Sequence, residues 1–437
     1  MRLINKTQQL INEVKKCRCI NDTKLTNKCE NVIKTLYNHM NDGYKLIHIE
    51  KINQGHSFFY NLQIKQLDLS KKNQIPKPTT FPSNAFPETI KKHIDSKVVS
   101  YIKYNIAFLN KIITIYFVTE EHITTQHITK YNYYVDNMLV WIYLLSLYST
   151  EQCRGVQNLN VFIYLTSLEK VLPNRQSIVL DEEHVNTAFT FSCPTNKSEI
   201  VIFRKEEWFK VFIHETFHNF GLDFSEMNIN ECKRMLYALF PVNSEIKVYE
   251  AYSEFWARIM NTMFFSYIVC INNKKYDFRS FTTEFNKYMG YEITYSLIQA
   301  NKVLLFMNLI YEHLYENDNY SSKLREQMYK ENTNVFAYYI ITGILISHYQ
   351  EFILWCHVNN TNVFQFKKTI IHQKDFCSFI KKRYKKRAFL KDMNCIHLFL
   401  LGIMNKQHKT SSEIYLLNNL RMTLCDVNNI YETNRLL

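Results

Sequence analysis

Only seven glycines and seven prolines interrupt 437 residues, and four of the prolines fall together between Pro76 and Pro87. These two residue types break helices and make tight turns, so a chain poor in them is driven toward long helices joined by Asn- and Lys-rich loops. The proline cluster, PKPTTFPSNAFP, cannot be helical and marks the expected linker. Apolar residues make up 46% of the chain, with 31 Phe and 30 Tyr, which is material for two or three packed units. The expectation is a mostly helical α+β protein. It has a helical N-terminal region over 1–94, a central domain over 95–272 and an all-helical C-terminal region over 273–437.

Helical spacing is clear at Leu10, Ile11 and Val14 and again at Val32, Ile33, Leu36 and Tyr37. Strand character begins after the prolines. YNIAFLNKIITIYFV (Tyr104 to Val118) reads as two β-rich runs forming a hairpin around Asn110 and Lys111, while NVFIYLTSL, VNTAFTF and EIVIFR read as further strands. The longest apolar runs, Met138 to Tyr148, Met263 to Ile271 and Val335 to Ile346, fall short of the roughly 20 residues that cross a bilayer. They are expected to be core helices, with no transmembrane segment.

The formal charge of +13 suits anionic surroundings, but much of it is scattered lysine of the kind an AT-rich genome imposes. No specific nucleic-acid role is expected, and KKRYKKR (Lys381 to Arg387) reads as a solvated helix end. The N-terminus lacks both an apolar core and a small-residue cleavage site, so the protein is expected to be intracellular and not secreted. Eleven cysteines without paired spacing suit reduced thiols better than a disulfide framework. Cys17 and Cys19, with Cys29 nearby, lack the second close pair that a zinc knuckle needs.

The chemistry concentrates in FIHETFHNFGLDFS. His214, Glu215 and His218 spell HExxH inside a stretch free of Pro and Gly from Glu206 to Phe220, so both histidines share one helix face. Two imidazoles one turn apart can bind one Zn²⁺ while the intervening glutamate acts on water at the metal. With 15 His in the chain, chance alone gives this pattern in roughly three such sequences in a hundred. A third ligand is therefore needed to carry the reading.

The position three residues after Gly221 is Phe224, so HExxHxxGxxH and its Asp variant fail. Asp223 reads as a helix cap paired with Glu226, and Gly221 as the left-handed end of the motif helix. YEAYSEFWARIMN (Tyr249 to Asn261) places Glu250 and Glu254 one turn apart on an otherwise apolar helix. A buried acidic pair needs a compensating cation or proton. Glu250 on the metal, with Glu254 orienting a ligand imidazole, meets that need, and the reverse assignment stays open.

HETFH followed by EAYSE resembles the gluzincin class of zincin metallopeptidases. More narrowly, the run from NVFIYLT to YSEFWA resembles uncharacterised zincin-like proteins of large DNA viruses. The resemblance implies a zincin-like domain with Zn²⁺ on His214, His218 and Glu250. It further implies Glu215 as general base, Glu254 as support to a ligand, and an edge strand at Thr187, Ala188 and Phe189 that holds a peptide or protein substrate extended. No downstream His or Tyr is assigned to stabilising the oxyanion; Tyr252, His348 and His357 are the residues considered. The expected activity is zinc-dependent peptide hydrolysis, and the alternative is a catalytically silent zincin fold serving as an interaction or virion-associated protein.

Overall fold

The computed structural model describes residues 5–20, 24–68, 74–82, 84–150, 153, 157–195 and 197–427. Helices dominate, and one six-stranded mixed sheet is built into them. Its strands are β1 (Gln63–Gln66), β2 (Ser100–Phe108), β3 (Lys111–Thr119), β4 (Asn158–Leu165), β5 (Ala188–Thr190) and β6 (Ser198–Ile202), in the order β1-β2-β3-β4-β6-β5. Strands β3, β4 and β6 run parallel, and the other neighbours are antiparallel. The β2–β3 hairpin turns at Leu109 and Asn110, both with positive φ (50° and 59°), one residue earlier than the expected Asn110–Lys111. A two-residue I′ turn needs positive φ at both positions, and here a leucine tolerates it.

Alternation along the strands gives the sheet two apolar faces. Ile102, Ile115, Phe117, Val161, Ile163 and Ile200 face the long helix Ile128–Tyr148 and the motif helix Trp208–Asn219, with Phe117 edge-on to Trp208. Val118, Phe162, Tyr164, Val201 and Phe203 form the other face, covered by Ile90 and Ile94 of the helix Glu88–Lys97. The proline-rich run, read from sequence as a linker, is part of that cover. Phe81 stacks on Phe191, Phe86 packs edge-on to Tyr164 and Phe189, and the Thr79 and Thr80 amides both donate to Glu199 Oε2 at 2.8 Å.

One apolar core runs through the N-terminal helices, the sheet and the C-terminal helices. The segment from Leu420 to Val427 is buried within it. Its amides are held by two buried carboxylates: Glu207 accepts from Met422 and Thr423, and Glu292 accepts from Leu424.

Cysteine pairing departs from the expected reduced thiols. Cys19–Cys395 and Cys153–Cys193 are disulfides, separated by 376 and 40 residues, and the seven other cysteines are free and buried. Partners so far apart leave no trace in local spacing. Among the described residues no helix is long and apolar enough to cross a membrane. Lys381 closes the helix Ile370–Lys381, and beyond it Arg383 and Lys386 pair with Glu351 while Lys385 pairs with Glu316.

Candidate metal centre

The motif helix is fixed at both ends. Glu207 precedes it in the left-handed region (φ 59°), and its buried carboxylate meets Lys170 Nζ at 2.9 Å. At the far end Gly221 (φ 61°) donates to His218 O and Leu222 donates to Phe217 O, each at 2.9 Å, which is the Schellman pattern expected for this glycine. A Cβ at Gly221 would stand 2.5 Å from Cys153 Sγ, so space as well as φ demands glycine. Laterally, Trp141 Nε1 donates to Thr216, while Asn219 accepts from Ser198 of β6 and donates to Thr190 of β5. The helix is thereby locked to the edge of the sheet.

This anchoring, with the helix Val248–Asn272 packed alongside, brings three candidate ligand atoms together, two from the motif helix and one from its neighbour. His214 Nε2 lies 3.1 Å from His218 Nε2 and 3.2 Å from Glu250 Oε2, and His218 Nε2 lies 3.4 Å from the same oxygen. His214, His218 and Glu250 form the one His/Cys/Asp/Glu cluster of ligand geometry among the described residues.

Both imidazoles are backed by carboxylates. His214 Nδ1 stands 3.1 Å from Glu254 Oε2, off the ideal hydrogen-bond line but with no other partner among the described residues. His218 Nδ1 meets Asp223 Oδ2. A carboxylate at Nδ1 favours the tautomer with its proton there, which leaves lone pairs on both Nε2 atoms. Glu250 Oε2 adds a third. Three converging lone-pair atoms in a buried site repel unless positive charge stands between them. Titration reflects the same demand. Burial by itself would depress both imidazoles, yet the carboxylates of Glu250 and Glu254 raise His214, and Asp223 and Glu250 raise His218 well above the usual range. Against burial, the same two imidazoles hold Glu250 below the ordinary carboxylate range.

The donor set would suit a small divalent cation such as zinc. Tetrahedral bonds of about 2.0–2.1 Å separate ligand atoms by about 3.3–3.4 Å, which the distances of 3.1, 3.2 and 3.4 Å match closely. Two imidazoles and one carboxylate also leave a position free for a fourth partner.

Glu254 is not left to the metal for compensation. Lys210 Nζ reaches both of its oxygens at 3.0 Å, and Arg258 Nε reaches Oε1 at 2.8 Å. Although burial opposes ionisation, these two cations hold its carboxyl well below the ordinary range. Glu215 lies beside the ligand cluster on the same cleft, and burial pushes its carboxyl up.

That cleft is bordered by Val185, Thr187, Ala188, His214, Glu215 and Tyr338. β5 is the last strand of the sheet. Because Phe203 N donates to Thr187 O, alternation turns the main-chain groups of Ala188 and Thr190 to the open edge. Thr187 Oγ1 is buried without a hydrogen-bond partner among the described residues. The Phe189 ring packs among Phe81, Phe86 and Phe203 on the opposite face of the sheet, so its side chain does not enter the cleft.

Asp223 is not a helix cap. The next helix starts at Asn230, and Asp223 instead braces His218 while accepting from Ser225. The hydroxyls and imidazoles considered from sequence lie elsewhere. Tyr252 donates to Phe364 O, His348 meets Ile344 O, and His357 sits in the helix Tyr349–Asn359 away from the cleft lining. The residue that sequence reading missed is Tyr338, on a π-helical turn (Phe336–Ile341), whose hydroxyl donates to Glu250 Oε2 at 3.0 Å. No motif surrounds it, and only the π-turn, a form frequent at functional sites, would have marked it.

No protein-family model, curated protein or solved structure matches this chain. The functional reading therefore rests on the geometry of the site and on the sequence pattern.

Proposed function

We propose that the protein is a zinc-dependent metallopeptidase on a zincin-like fold, with His214, His218 and Glu250 holding the metal. The observation that carries this is the convergence of two Nε2 atoms and Glu250 Oε2 within 3.4 Å, with the Nδ1 atoms facing the carboxylates of Glu254 and Asp223. Zinc bound there would supply a Lewis acid that polarises a substrate carbonyl and makes water a better nucleophile at neutral pH.

The chain's own groups supply the remaining steps. Glu215 accepts a proton from the attacking water and returns it to the leaving amine, a role that its burial and raised proton affinity suit. The open edge of β5 offers the main-chain groups of Ala188 and Thr190 to an extended peptide, fixing it along the cleft. The Tyr338 hydroxyl, which donates to Glu250 Oε2, would have to turn from that oxygen to donate to the oxyanion that develops on the carbonyl.

Glu215→Gln tests this reading. It keeps the size and polarity of the side chain and removes the base, so zinc content should persist while peptide turnover falls by about 10²–10⁴-fold. A zinc-loaded wild type that cleaves nothing across a broad peptide library would instead favour a catalytically silent interaction protein.

A further inference from the structure

We infer that Arg258 is a positioning residue that binds the C-terminal helical region into the metal site, setting Glu254 and Tyr338 with one guanidinium. This rests on the metallopeptidase reading and extends it to a residue that touches no ligand atom.

Arg258 stands one turn beyond Glu254 and is 1% exposed. Its planar fork spends its donors on three elements. Nε donates to Glu254 Oε1 at 2.8 Å, Nη2 to the main-chain carbonyl of Tyr338 at 3.0 Å, and Nη1 to Ser296 Oγ at 2.8 Å. Each of the first two contacts leads back to the ligand cluster. Glu254 backs His214, and the Tyr338 hydroxyl donates to Glu250 Oε2. A closed circuit results: His214, Glu254, Arg258, Tyr338, Glu250 and again His214.

A simpler role, neutralising the buried Glu254 carboxylate, is one that Arg258 shares with Lys210, which contacts both of its oxygens. What Arg258 adds is direction. A guanidinium can hold three acceptors at fixed angles in one plane, and an ammonium cannot. The carbonyl it grips belongs to the residue whose hydroxyl faces the site, 80 residues further along the chain. Tyr338 is therefore placed by the helix that supplies Glu250, and not by its own turn alone.

The test is a double-mutant cycle on zinc affinity, measured by chelator competition and independent of turnover. Arg258→Gln should weaken zinc binding by about tenfold or more, in line with other residues that orient metal ligands, and Tyr338→Phe by a few-fold, roughly. Because both act through one circuit, the double variant should bind zinc within about twofold of Arg258→Gln alone. If Arg258→Gln does not fold, Arg258→Lys replaces it in the cycle, retaining charge and losing the fork, with the same non-additivity expected. On peptides, Arg258→Lys and Tyr338→Phe should both lower kcat more than they raise KM. Independent, additive losses of affinity would overturn the inference, as would lowered thermal stability with unchanged zinc affinity. A wild-type protein that binds no zinc would overturn the metal reading and this inference together, whereas zinc binding with additive losses would overturn only the inference.

Discussion

Asp223 braces His218 from a loop five residues downstream, giving one oxygen to Nδ1 and the other to the Ser225 hydroxyl. It is the counterpart of Glu254 behind His214, so each imidazole has its own carboxylate. Ser253, on the glutamate helix, adds a contact to Asp223 at 3.3 Å.

Removing that brace should loosen the metal without unfolding the chain. Asp223→Asn keeps the shape but can present its amide nitrogen to Nδ1, which disfavours the tautomer with its lone pair on Nε2. Zinc affinity is expected to fall by about 10–100-fold, and Glu254→Gln should do the same from the other side. Unchanged affinity in both would assign the ligand role to other atoms.

Glu250 is the proposed third ligand, which the two-histidine motif does not supply. The protein should bind about one zinc per chain, and Glu250→Ala should lose most of it. Metal analysis of the folded variant decides the matter. Full occupancy would move the third ligand elsewhere, and Glu254, already paired with Lys210 and Arg258, would have to exchange those partners to serve.

Acid should weaken the hold of Glu199 on the proline-rich cover. Burial opposes ionisation of Glu199, but hydrogen bonds from Thr80, Lys197 and Thr79 outweigh it and hold the carboxyl at about 2. A carboxyl with a lowered folded-state pKa contributes stability that is complete above its unfolded value near 4.5 and is lost as pH falls toward about 2. Stability measured between those limits should fall less steeply in Glu199→Gln than in wild type. Identical slopes would place the acid sensitivity in other groups.

Glu207 ties the start of the motif helix to the buried C-terminal segment. Glu207→Ala would leave Lys170, 1% exposed, without its partner and free the amides of Met422 and Thr423, at a cost of about 3–5 kcal/mol. Pairing it with Lys170→Met should recover part of the loss in urea denaturation, because the unpaired buried charge is then gone. If the double variant is no more stable than the single, the amide contacts carry the effect.

The sequence by itself determined what is local. HExxH on a breaker-free helix puts two imidazoles on one face through a fixed 3.6-residue period, and Gly221 ends that helix because positive φ is open to it. The acidic pair at Glu250 and Glu254 was legible for the same reason, since charges on an apolar helix need compensation. Strands β2 to β6 followed from β-branched and aromatic runs. Tertiary structure decided everything that depends on which distant segments meet. It brought Tyr338 to Glu250 across 88 residues, placed Lys210 and Arg258 around Glu254, and joined Cys19 to Cys395. It also turned Asp223 from a plausible cap into the brace of His218, because the following helix starts only at Asn230. Periodicity fixes the direction of a side chain relative to its own axis, while packing alone sets where that axis lies and what stands opposite it.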